Sequence, residues 1–222
     1  MAEKGKDIFD KETLFNCYWD YYLEEGKRPA SVYKFCKHLS IEEVEFYQHF
    51  SSFDVVESFF WEKSVTETLE ALASDEEYRN FSTRQKVLAY CYTFFTISLN
   101  HRSKFLLAFP RFPKNELSHL FRYPKSLKKF SNVFTNWVEE RIREGVQNEE
   151  IVDRMGIQKF YPNLLCLVHW YLIDYNLNDS SSKFEDTDTL IEKVVNTFFD
   201  TVQSQVFESV FDLFRFLIKS RT

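Results

Sequence analysis

The sequence predicts an all-α protein, on three observations. Four Gly and five Pro in 222 residues are too few for the turns that an all-β chain needs about every eight to twelve residues. Apolar residues recur at spacings of three and four rather than two, the period of a helix with one buried face. Finally, Ser followed three positions later by Glu or Gln recurs ahead of apolar runs, the signature of a capped helix start. At 44% hydrophobic and 28% charged residues, the composition is that of a globular chain able to bury a core.

Each element follows from the same rules. Leu14, Phe15, Tyr18, Tyr21 and Tyr22 give one face of a first helix from Asp10 to Glu25, with Asp10 as N-cap and Gly26 as its stop. Pro29 opens a second helix, Ala30 to His38, with Val32, Phe35 and Cys36 inward. Ser40 with Glu43 has capping-box spacing and predicts a short third helix from Ile41 to about His49. Ser52 caps a fourth to about Ala73, and Ser82 with Gln85 opens a fifth, Thr83 to Leu99, after a charged loop from Ser74 to Phe81. Periodicity resumes over Leu127 to Gly145 and Phe160 to Asn178. After a polar linker, two further apolar helices run from Thr189 to Val202 and from Gln205 to Lys219. The last is apolar around most of its circumference and must be covered on more than one side, most simply by a second copy of the chain.

Ser31 to Trp61 is the organising stretch: two short helices joined by a tight turn and followed by a longer one, the pattern of a helix-turn-helix with its linking helix. Within it, Tyr22, Gly26, Ser31, Val32, Tyr47, His49, Phe50 and Ser52 stand in a frame without insertion from Gly26 to Phe50. On these residues the chain resembles the tetracycline-repressor (TetR) family of transcription regulators, over about its first 60 residues by motif and beyond them as helical architecture. The resemblance implies a DNA-binding module at residues 1–52 and a helical ligand-binding and dimerisation domain at 53–222. It further implies a homodimer that binds DNA, with Ser31, Lys34, Glu42, Glu43, Glu45, Tyr47, Gln48 and His49 at the DNA.

The chain departs from the family pattern at specific positions. Glu42, Glu43 and Glu45 stand where family members usually carry small, polar or basic residues; Ser40 replaces the turn glycine, and Phe53 a phosphate-contacting lysine. Residues 1–55 hold seven Lys and Arg against eleven Asp and Glu, where a DNA reader is expected to be basic. An alternative reading therefore stands beside the first: a TetR-fold ligand- or protein-interaction protein that has lost DNA binding. Tyr47, His49 and Phe50 either touch phosphate or pack the third helix against the first and fourth.

Two further sites are candidates. Tyr90, Phe94, Trp137, His169 and Trp170 lie on helices expected to face one another, as a pocket for a small apolar or acidic ligand or simply as core. Residues 101–129 carry eight Lys and Arg against Glu116 alone, interleaved with aromatic rings. There Arg102, Arg111, Lys114, Arg122, Lys128 and Lys129 would hold an anionic partner, or else complement acidic helices nearby. Cys17, Cys36, Cys91 and Cys166 lack ligand spacing and read as reduced residues of a cytoplasmic protein. No residue set suggests catalysis, a cofactor or a metal, and no apolar run has the length of a membrane span.

Overall fold

The computed structural model describes residues 9–109, 128–154 and 156–204. Among them lie nine α-helices and no strand, so the fold is all-α: α1 Lys11–Glu25, α2 Val32–Leu39, α3 Glu43–Tyr47, α4 Phe53–Ala73, α5 Thr83–Asn100, α6 Arg102–Ala108, α7 Lys128–Gln147, α8 Tyr161–Asn178 and α9 Glu185–Gln203. The helix expected at 205–219 lies outside the described residues.

Several predicted caps are in place. Asp10 Oδ1 accepts from Thr13 N–H at 2.7 Å, and Gly26 ends α1 in the left-handed conformation at φ 64°. Gln85 Oε1 accepts from Ser82 N–H at 2.9 Å while Ser82 Oγ accepts from Gln85 N–H at 3.3 Å, a complete capping box.

Other starts differ from expectation. Helix α2 begins after Ser31, not at Ala30, because Ser31 is itself extended and its side chain accepts from Lys34 N–H at 3.2 Å. Ser40 does not cap α3. It ends α2 in the left-handed region at φ 58°, its N–H bonded back to Cys36 and Lys37 carbonyls, and the capping box shifts to Glu42 and Glu45. Helix α6 arises within the basic segment because Phe105, Ala108 and Phe109 fall on one face and are buried. Helix α9 begins at Glu185 rather than Thr189, since Ser181 and Asp179 supply caps upstream: Ser181 Oγ accepts from Asp186 N–H at 3.1 Å and Asp179 Oδ2 from Thr187 N–H at 3.0 Å. The loop between α4 and α5 contains a single 3₁₀ turn, Glu77–Asn80.

The chain divides into two compact units, residues 1–63 with 100–130 and residues 64–99 with 131–222, so that α4 contributes its first half to one and its second half to the other. Rings hold the first unit together. Phe53 stacks on Tyr18 at 5.2 Å between centroids and meets Phe35 at 5.7 Å and Phe46 at 5.6 Å, tying α1, α2 and α3 to the start of α4. Phe105 of α6 lies edge-on to Phe60 at 4.8 Å and Trp61 at 5.1 Å. In the second unit α8 packs on α9, and the buried Arg154 guanidinium donates to the Val202 and Ser204 carbonyls at the end of α9, the latter at 2.7 Å.

Candidate functional site

The first three helices are built to a fixed geometry. Phe35 and Phe46 are fully buried and meet edge-to-face at 6.1 Å, fixing α3 against α2. Behind them Glu57 of α4, only 4% exposed, accepts from Tyr18 Oη at 2.6 Å and Arg28 Nε at 2.6 Å, with a second Arg28 contact through Nη2. Burial, and after it the Glu57 carboxylate, pushes the Tyr18 hydroxyl well above its ordinary pKa, so it stays a donor. One buried carboxylate thus joins α1, the α1–α2 loop and α4.

The residues proposed for DNA contact fall into different environments. Ser31 caps α2, and Lys34 is exposed beside it. Tyr47 is 51% exposed and Gln48 is exposed, whereas His49 is half-buried and Phe50 is buried at 1%. Glu42 is exposed, and Glu43 and Glu45 are half-buried. Phe53, at the position of a family phosphate-binding lysine, is part of the ring core described above. Val44, 61% exposed, and Tyr33, 59% exposed, complete the outer surface of α2 and α3 and were not singled out by sequence, where lone apolar residues look like core.

In the second unit, four of the five aromatic candidates converge. Tyr90 of α5 lies 4.8 Å from Trp137 of α7 and 5.3 Å from His169 of α8, and Phe94 lies 4.6 Å from His169. Phe134 is the residue sequence reasoning missed: it stacks on His169 at 4.9 Å and 17° and lies 5.0 Å from Tyr90. The available signal was its place three residues before Trp137, on the same face of α7. Trp170 is buried on α8, its indole beside the Cys166 thiol.

The cluster is electrically neutral. Burial depresses the His169 pKa to about 3, and raises Cys91 to about 12 and Cys166 to about 11. Burial also lifts the Tyr90 hydroxyl well above its usual value. None of these side chains carries a charge near neutral pH, and such rings and thiols suit an uncharged apolar group better than an acid.

Of the basic candidates, Arg102 lies at the start of α6 and is half-exposed, and Lys128 and Lys129 lie in the first turn of α7. Arg111, Lys114 and Arg122 lie outside the described residues. Cys17 is half-buried and Cys36, Cys91 and Cys166 are buried, all as free thiols. Among the described residues no helix is long and apolar enough to cross a membrane.

Residues 86–217, more than half of the chain, match the family model described as the tetracyclin repressor-like C-terminal domain. No curated protein matches the sequence.

Proposed function

The chain belongs to the tetracycline repressor-like family, and from that membership we propose a homodimeric transcription regulator that binds DNA through α1 to α3 and an apolar small molecule in the second unit. The observation that carries the reading is the pairing of a family C-terminal domain with an N-terminal three-helix unit whose second helix has two exposed lysines and no carboxylate.

The mechanism is a population shift. Ligand that parts the rings around His169 favours one arrangement of the second unit, and α4, running from one unit into the other, carries the change to the N-terminal module. Two such modules in a dimer must lie about 34 to 36 Å apart to meet successive major grooves, so a shift of a few ångström releases DNA.

Support for a homodimer comes from α8. Its inner side buries Leu165, Cys166, His169, Leu172 and Ile173, yet Leu164 at 39% and Tyr171 at 46% exposure, seven residues apart, make an apolar stripe on the other side. Leu164→Glu combined with Tyr171→Glu is expected to shift the sedimentation coefficient from dimer to monomer with helicity retained; a dimer that persists places the interface elsewhere.

The regulator reading is tested by fluorescence anisotropy of the purified protein against pooled genomic fragments at low and physiological salt. Selective, salt-sensitive binding at physiological salt is the expected result. The second reading, an interaction protein without DNA binding, is favoured by the excess of eleven acidic over seven basic residues in positions 1–55. It predicts no binding at either salt from a folded dimer.

A further inference from the structure

Resting on the regulator reading, we infer that α3 reads A·T base pairs, through Val44 against a thymine methyl and Gln48 against adenine, and that its glutamates read nothing. The argument begins with the turn of the helix. At about 100° per residue, the direction opposite a buried side chain is reached two residues before and two after it. The buried residue of α3 is Phe46, so Val44 and Gln48 lie one turn apart on the outward face, with Tyr47 beside them. Their exposure agrees: 61% for Val44, 51% for Tyr47, and Gln48 exposed.

The glutamates point elsewhere. Glu42 and Glu45 close the capping box, in which Glu45 Oε1 accepts from Glu42 N–H at 3.3 Å. Glu43 and Glu45 flank Phe46 and are half-buried. After burial itself, Glu43, Glu45 and Glu42 are what raise the pKa of the Cys36 thiol buried in α2, so all three carboxylates lie within electrostatic reach of α2. Two of the three carboxylates are thus partly withdrawn from solvent, and the exposed one, Glu42, stands at the N-cap, ahead of the turn that carries Val44 and Gln48.

Past the N-cap Glu42, the exposed side chains of α3 and its C-cap are an isopropyl group, a phenol and a carboxamide. In the major groove an apolar side chain recognises the thymine C5-methyl, and a carboxamide pairs bidentately with adenine N6 and N7. Helix α2, which in this motif crosses the backbone, carries exposed Lys34 and Lys37 and no carboxylate, as phosphate contact requires.

The test is selection of the full-length protein on a random duplex pool at physiological salt, followed by remaking the enriched site with uracil for thymine. The expected site has A·T pairs beneath α3. Uracil then weakens wild-type binding about tenfold but Val44→Ala binding by no more than about twofold, and Gln48→Ala relaxes the preference at the neighbouring adenine. Glu43→Gln leaves the preference unchanged. Enrichment of C·G pairs at those positions, or a preference that moves with Glu43→Gln, overturns the inference and leaves the regulator reading standing. A folded dimer with no salt-dependent, sequence-selective binding overturns both.

Discussion

Arg28 enters the sequence as one positive charge in an acidic module, and nothing local to it names a partner. In the fold it is the main compensation for Glu57, 29 residues on, whose carboxylate is nearly excluded from solvent. Arg28→Met leaves that carboxylate with Tyr18 as its remaining donor among the described residues. The pair is half-open to water on the arginine side, which places the expected cost at about 2 kcal/mol, below the roughly 3 to 5 kcal/mol of a fully buried broken pair. Urea unfolding should show a lower midpoint with an unchanged slope; an unchanged midpoint would make Arg28 a surface charge. Gly145 sets two effects against each other. Alanine in place of glycine gains up to about 1 kcal/mol of propensity in a helix interior, and less at Gly145 in the last turn of α7. A Cβ there would nevertheless lie 2.8 Å from both Ile151 Cδ1 and Thr83 Oγ1. Thr83 is held by its own N–H bond to Glu150 Oε2 at 2.5 Å and is 1% exposed, so it has little room to retreat. Overpacking of this kind costs about 1 to 3 kcal/mol, and Gly145→Ala should therefore lower the melting temperature rather than raise it.

Helices were legible where their signals are local, and were misplaced where a second signal competes. Asp10, Gly26 and the Ser82–Gln85 box act within one turn of chain, and each does in the fold what its type and spacing imply. Around Ser40 two rules apply at once: serine is a good N-cap, and a residue after a helix can close it in the left-handed conformation. The second governs, because the Ser40 N–H bonds back to α2 and the next helix finds its cap in Glu42 and Glu45. A serine at φ 58° carries a steric cost that glycine does not. Ser40→Gly should raise stability by about 0.5 to 1 kcal/mol, a melting shift of about 2 °C, without altering helicity. A loss of stability would mean that the serine hydroxyl holds the turn. The aromatic cluster was legible from ring positions on three helices, since helical spacing assigns faces. Its neutrality was not, because burial of His169 depends on α5 and α7 closing over α8.

For the chain as a whole, two groups at α8, His169 within it and Asp179 at its C-terminal end, give acid unfolding two separate windows. His169 titrates near 6.5 when unfolded and about 3 when folded, because burial opposes its charged form. A depressed folded pKa means that the unfolded chain binds the proton more readily. The stability His169 provides is thus complete above about pH 6.5 and declines as pH falls toward 3. Asp179 acts lower. Desolvation raises its pKa, but bonds from Thr187 and Ser181 outweigh that and bring it down to about 2 from 3.8. Its contribution is present above pH 3.8 and is lost on descending toward pH 2, where the cap of α9 fails. Thermal melts at half-unit steps should therefore separate the two. His169→Phe, which keeps a ring among Tyr90, Phe94 and Phe134, should flatten the decline between pH 6.5 and 4 and leave the lower region unchanged. Asp179→Asn should lower stability above pH 4 and flatten the curve only below it. If both variants altered the same window, the histidine would not be held neutral by the fold, and the uncharged character that selects an apolar ligand for the second unit would lose its basis.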